Sequence, residues 1–235
     1  QLWAGNLKKF SVKTSSGTIV DQLDKPVFKD GKIQEKLSDY WYESAGSFDD
    51  DVYMAWGGLL SKLKVHHKPL AASGHLGFNR NVYLDVGVNN GSALKHAVTD
   101  ILNGTTSLNN KQYLYGLLGY SKLTQSDFDA LASKSYNDQV SYLQTKTANQ
   151  DFQMGSVIHS TPIMLTQKGT FEEKDGEYGV SEREDYILAG TTQGLVQVVN
   201  ADNGKEVFSF LPSEFLTRQN NSQEKGFAEY NKITQ

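Results

Sequence analysis

The stretch "YILAGTTQGLVQVVNADNGKEVFSFLP", residues 186–212, decides the fold class because three strand-like runs alternate in it with two turns. The runs cover 186–189, 195–199 and 206–211, and small polar residues with Gly fill 191–194 and 200–204. Leu195, Gln197 and Val199 point to one face of the central run, while Val196 and Val198 point to the other. Apolar residues on both faces predict burial on both sides, as between stacked sheets.

Three antiparallel strands with tight turns are typical of a β-propeller blade. The pattern singles out seven structural motif residues, which are Gly190, Gly194, Asp202, Gly204, Phe208, Phe210 and Pro212. Gly204 tolerates a positive φ, and Asp202 and Asn203 can bond the backbone of the second turn. Because a single meander cannot bury both of its faces, the pattern also predicts neighbouring blades.

Other segments predict further β-structure. The first 35 residues contain short runs around Ser15-Ser16-Gly17 and Asp30-Gly31, which predict β-hairpins. Apolar and polar residues alternate over 79–87 as they do in a strand, and residues 154–165 are again strand-like. The charged segment 166–185 predicts either an exposed hairpin tip or a long loop.

Residues 93–150 predict a helical insertion in this β-rich chain. Apolar residues recur there at helical spacing, for example at Leu114, Leu117 and Leu118. Thr124 followed by Asp127 resembles a capping box and places the start of a short helix at about 125. We interpret the Leu and Tyr stripe of this region as core, not as a groove for a partner.

Composition narrows the classes of function. The 235 residues carry a net charge of −4 and no dense Lys/Arg block, so nucleic-acid binding is not expected. The absence of cysteine excludes disulfides, Fe–S clusters and thiol catalysis within these residues. The sequence has no run of 18 apolar residues, so no transmembrane segment is expected within it. Strand-like sequence begins directly at the first residues, so we interpret these 235 residues as a piece of a longer protein.

Several segments together resemble one family. In chain order they are "LWAGNLKKFSV" with "GTIVD", "DDDVYMAWGGLLSKL", "NRNVYLDVG", "GSVIHSTPIML" and "YILAGTTQGLVQVVNADNGKEVFSFLPSEF". This order is similar to that of the C-terminal β-propeller of the PilC/PilY family, the adhesins associated with the tip of type IV pili. The resemblance runs from about residue 2 to 216, and its most specific part pairs "GSVIHSTP" with "AGTTQGLVQVVNADNGKEVFSFLP".

The resemblance implies an all-β chain that is part of a quinoprotein-like β-propeller, seven-bladed when complete. It implies a type IV pilus biogenesis factor and adhesin that counters pilus retraction and attaches to host cells or surfaces. Its partners would be pilins or minor pilins and a host-cell or abiotic surface receptor. Its location would be secreted, at the pilus tip, outer membrane or cell surface of a Gram-negative bacterium.

The family also implies a calcium loop of the D-x-D-x-D-G type. Asp49-Asp50-Asp51 lacks the alternate spacing and the Gly of such a loop, and we interpret it as a solvated acidic turn. No cofactor or metal ligand is therefore assigned within these residues. Calcium could still bind in a part of the domain that lies outside them.

Histidines and aromatics offer the other candidate sites. His66 and His67 could form half of a metal site, but neighbours on a strand point to opposite faces. His159 beside Ser160 could suggest a catalytic pair, but a buried polar residue bonded to the backbone is the preferred interpretation. Tyr40-Trp41-Tyr42 could face a ligand, and we favour core or inter-blade packing.

Two alternatives to a pilus adhesin stay open. A non-catalytic scaffold propeller of the envelope would bind partner proteins through edge strands or loops. A quinoprotein dehydrogenase would share the blade form, but the vicinal disulfide often found in such enzymes cannot form without cysteine. None of the common hydrolase, zinc-protease or P-loop motifs occurs, so no enzyme activity is expected.

Overall fold

The computed structural model of the chain describes residues 5–43, 57–66, 69–72, 75–78, 80–84, 107–118, 120, 123–146, 154–158, 160–212 and 214–215. Its largest element is a five-stranded mixed sheet. Four of its strands form an antiparallel meander, β8 (Ile163–Lys174), β9 (Glu177–Gly190), β10 (Val196–Asn200) and β11 (Glu206–Leu211). The fifth strand, β7 (Val82–Leu84), pairs in parallel with β11.

Three two-stranded antiparallel sheets accompany it. They pair β1 (Ser11–Val12) with β2 (Ile19–Val20), β3 (Phe28–Lys29) with β4 (Lys32–Ile33), and β5 (Pro69–Ala72) with β6 (His75–Phe78). Gly17 and the pair Asp30-Gly31 take positive φ at the first two turns, which confirms both predicted hairpins. The first strand begins only at Ser11, and residues 5–10 before it are not strand.

Four helices have defined bounds in the described part of the chain, and 214–215 are also helical. The four helices are α1 (Gly58–His66), α2 (Leu108–Leu117), α3 (Gln125–Ala132) and α4 (Tyr136–Thr145). The capping box at α3 is confirmed, because Thr124 accepts from the backbone of Asp127 and the Asp127 side chain accepts from the Thr124 N–H at 2.7 Å. Within the predicted insertion, 93–106 and 147–150 lie outside the described residues.

The core forms on one face of the large sheet. Its first cluster joins β7 and β11 to helices α2–α4, and the Leu/Tyr stripe of those helices is buried in it, as predicted. The second cluster packs α1 and Trp41 against β10, through Leu59, Leu60, Leu63, Met154 and Val199. The chain is therefore mostly β with a helical layer on one side. The described residues contain neither a closed propeller nor a second blade.

Candidate functional site: the blade-like sheet

The stretch 186–212 forms the predicted meander. Val198 lies opposite Leu188 of β9 and Phe208 of β11, so the three runs pair antiparallel in the expected order. Leu195 and Val199 are buried and Gln197 is fully inaccessible, whereas Val196 is exposed. Only the Leu195–Gln197–Val199 face of β10 is therefore buried among the described residues. The prediction that both faces are buried is wrong there.

In the first turn, residues 191–195, the backbone folds back on itself and passes close to Phe215. Thr191 N–H donates to Leu195 O at 2.9 Å, and Gly194 lies between them with φ +78°. A Cβ on Gly194 would lie 2.8 Å from the ring of Phe215, so both backbone angle and space favour glycine. Gly190 is the last residue of β9, and its N–H donates to Ser160 Oγ at 3.0 Å.

The second turn is held by asparagine side chains. Asn200 Oδ1 accepts from the N–H groups of Asp202 and Asn203 at 2.9 and 3.1 Å, and Asn203 Oδ1 accepts from Lys205 N–H. Asn203 thus bonds the backbone as predicted, but the other side-chain oxygen comes from Asn200 in place of Asp202. The neutral amide performs the same Asx-type turn bond that a carboxylate would.

Gly204 has a second role that sequence reasoning missed. Its φ is +70°, and a Cβ at this position would collide with the indole ring of Trp41. Trp41 Nε1–H donates to Ala201 O at 3.0 Å across the same turn. The packing interpretation of Trp41 is confirmed, while its neighbour Tyr40 is 45% exposed and contradicts that interpretation at its own position.

The remaining motif residues lie on and after β11. Phe208 and Phe210 are partly buried on the face opposite the core, and the Phe208 ring packs edge-on against Tyr83 at 5.6 Å. Pro212 follows β11, and its carbonyl accepts from Phe215 N–H at 3.1 Å. These residues shape an apolar sheet surface and carry no acid–base or ligating group.

That surface is continuous across the sheet, and we call it the open face. Strand register places on it Tyr83, Ile163, Leu165, Tyr186, Leu188, Val196, Val198, Phe208 and Phe210. Each of these nine residues is partly buried or exposed. An aromatic and aliphatic face of this extent is the kind of surface that packs against another layer.

The two segments of the most specific sequence resemblance contact each other. Thr192 N–H donates to Ser156 O at 2.9 Å, beside the bond from Gly190 to Ser160. Gly155 lies so close to the turn that a Cβ would stand 2.8 Å from Gln193 N. "GSVIHSTP" therefore supports the first turn of the meander. His159 lies outside the described residues, so the interpretation given to it is untested.

A buried ion pair ties the sheet to the helices. Arg80 donates to both carboxylate oxygens of Glu206, at 2.8 and 2.9 Å, and also to Leu117 O at the end of α2. The two charged side chains are 1% and 3% exposed. Burial alone would raise the pKa of Glu206, but the Arg80 charge and bonds from Ser209 and Gln197 outweigh it and hold the pKa below its ordinary value.

Asp39 forms a second buried junction. One carboxylate oxygen accepts from Gly58 N–H at the start of α1 and the other from Trp41 N–H, at 2.8 and 3.0 Å. Burial raises the pKa of Asp39 and lowers that of nearby Lys8. Asn6 Oδ1 accepts from Leu60 N–H at 3.0 Å. One oxygen of Asp39 and the amide oxygen of Asn6 thus accept from N–H groups in the first turn of α1, where a carboxylate is favourable.

Of the metal candidates predicted from the sequence, only His66 is among the described residues. His66 ends α1, so its assignment to a strand is wrong, while His67 and Asp49–Asp51 lie outside the described residues. Among the residues that the structure describes, no group of three His, Asp or Glu side chains could hold a metal ion. No helix in that same part of the chain is long and apolar enough to cross a membrane.

No protein-family model, curated protein or solved structure matches the chain.

Proposed function

We propose that the chain contributes a blade to a quinoprotein-like β-propeller, seven-bladed when complete, in a PilC/PilY-type protein. In this proposal the protein is a type IV pilus biogenesis factor and tip-associated adhesin, which attaches to host cells or surfaces and modulates pilus extension and retraction. The observation that carries the proposal is the contact between "GSVIHSTP" and the first turn of the meander.

Two further features support a blade. The strands β8 to β11 follow one another in space as in chain order, which is the antiparallel order of a four-stranded blade. The open face presents the aromatic and aliphatic residues that a neighbouring blade would cover. The parallel strand β7 departs from this pattern, because a regular blade is antiparallel throughout.

The proposed activity is tested by deleting the gene and complementing it. Loss of surface pili, of twitching motility and of adhesion is expected on deletion, with recovery by the wild-type gene. A Gly204→Ala allele should complement poorly because it disturbs the turn beneath Trp41, whereas Gly17→Ala, at an open turn, should complement fully. Unchanged piliation, twitching and adhesion in the deletion strain would exclude the proposal.

A non-catalytic scaffold of the envelope is the second candidate. It is favoured by the β8–β9 hairpin, whose strands extend past β10 with exposed side chains and could bind a partner protein. A pull-down from an envelope extract separates the two functions. Recovery of outer-membrane assembly proteins without pilins would favour the scaffold, and recovery of minor pilins would favour the adhesin.

A further inference from the structure

The β8–β9 hairpin extends beyond the sheet as an arm, defined here as residues 166–185. Strand β10 pairs with β9 only over Tyr186–Gly190, so within the described residues the arm is a two-stranded ribbon closed by the Asp175-Gly176 turn. Every residue of β8 is exposed, and β8 is the last strand of its sheet as described. Such a ribbon has little core of its own and offers its side chains to a partner.

One face of the arm carries an exposed aromatic pair. Phe171 lies opposite Val180 in the strand register, and Tyr178 lies opposite Glu173 on the same face. The rings of Phe171 and Tyr178 contact at 5.9 Å between centroids, yet they remain 74% and 69% exposed. Aromatic side chains are enriched among the residues that anchor protein interfaces.

The arm is also strongly acidic. Its 20 residues include seven acidic and three basic side chains, a net charge of −4. This equals the net charge of the whole chain, so the remaining residues are neutral on balance. A partner for this arm should combine positive charge with an apolar contact surface.

The chain itself contains such a surface at its other end. Residues 5–36 carry seven lysines and four acidic residues, a net charge of +3. In the hairpin formed by β3 and β4, which we call the lysine hairpin, Phe28 lies opposite Ile33 on one face and Lys29 opposite Lys32 on the other. Phe28 and Ile33 are 51% and 56% exposed, so the hairpin presents an apolar pair on one face and a lysine pair on the other.

We propose that the arm of one copy docks on the lysine hairpin of a second copy. Phe171 and Tyr178 would pack on Phe28 and Ile33, while the net negative charge of the arm would be attracted to the net positive charge of residues 5–36. The lysine pair on the far face of the hairpin contributes to that positive charge. The two surfaces differ, so the interface is heterologous. Copies joined in this way form either a closed ring or an open chain that has one unoccupied arm and one unoccupied hairpin at its ends. Both surfaces are small, so association is weak at low protein concentration and strengthens when copies are crowded together.

Sedimentation analysis of the purified chain over a range of concentrations tests this association. At about 0.1 M salt the average mass should rise above that of the monomer as concentration increases. Raising the salt to about 1 M shortens the screening length from about 10 Å to about 3 Å and should weaken association by at least about tenfold. A chain that remains monomeric at all concentrations would overturn the proposal, even if its arm captures a different protein.

Charge reversal identifies the two surfaces. Glu172→Lys/Glu173→Lys on the arm and Lys29→Glu/Lys32→Glu on the hairpin should each strongly weaken self-association, because each reverses the charge of one partner. Mixing the two variants should restore it, because each reversed surface then meets its complement. A control variant, Asp129→Lys/Glu214→Lys, makes the same change of net charge as the arm variant but outside the arm. It should associate as the wild type does.

The mixture is the decisive experiment. If the arm variant is monomeric but the hairpin variant still associates, two arms pair with each other along β8 and the proposed hairpin contact is wrong. Failure of the mixture to associate would also refute it. Phe171→Ser and Phe28→Ser, each checked for folding by circular dichroism, should weaken association without a change of charge, and wild-type association in both would contradict the apolar contact.

Discussion

The buried pair Arg80–Glu206 supports the sharpest stability prediction. Both side chains are almost inaccessible, and the guanidinium donates twice to the carboxylate. Glu206→Gln preserves the shape of the side chain but leaves the charge of Arg80 buried without a counter-charge. Breaking a buried pair in this way costs about 3–5 kcal/mol, a large share of the roughly 5–15 kcal/mol that stabilises a typical domain.

The prediction has a defined dependence on pH. The folded protein holds the pKa of Glu206 below its unfolded value near 4.5. A depressed carboxyl pKa stabilises the fold above the unfolded pKa, and that stability is lost as pH falls through the folded pKa. The difference in free energy of unfolding between wild type and Glu206→Gln should therefore be full at neutral pH and shrink in acid, below about pH 4.5.

Denaturant unfolding followed by circular dichroism measures both effects. Glu173→Gln, at an exposed position on the arm, is the matched control and should change stability by no more than about 0.5 kcal/mol. The double variant Arg80→Met/Glu206→Leu should recover much of the loss, because it removes both charges together. The reasoning would be refuted if Glu206→Gln lowered the free energy of unfolding by less than about 1 kcal/mol. It would also be refuted if the difference between wild type and variant were the same at neutral and acid pH.

Three further predictions use the same unfolding measurements. Gly17→Ala should cost roughly 1–2 kcal/mol, because its φ lies in the left-handed region. Gly204→Ala has a similar φ but should cost more, because only its Cβ collides with Trp41. Equal losses of stability would contradict the packing argument. Thr124→Ala removes the capping hydroxyl of α3 and should cost about 1 kcal/mol, and an unchanged midpoint would show that the cap is dispensable. Burial raises the pKa of Tyr115, so its stabilising contribution should fall as pH rises above about 10, and Tyr115→Phe should lessen that alkaline loss.

Local sequence was enough to predict the turns and the helix start. Asp30-Gly31 closes β3–β4, and Gly194 and Gly204 take positive φ in the meander, because these conformations depend on the residue itself. The capping box between Thr124 and Asp127 spans only three residues and was predicted for the same reason.

Long-range pairing was beyond sequence reasoning. Alternation over 79–87 predicts a strand there, but the parallel alignment of Val82–Leu84 with β11 joins residues more than 120 positions apart. The contact of Trp41 with Gly204 and the pair Arg80–Glu206 join similarly distant segments. No periodicity within either segment encodes such a partner, because register between distant segments is set by the packing of the whole domain.

The sequence alone determined the meander of 186–212, its turn chemistry and the apolar stripe of the helices, since strand alternation, turn residues and helical spacing are local properties. Tertiary structure decided which face of that meander became core, because β10 has apolar residues on both faces and only the helices α1–α4 distinguish them. It also made 166–185 an exposed arm and not a loop, through cross-strand pairing of β8 with β9. Which apolar surfaces remain available to partners is therefore a property of the packed chain.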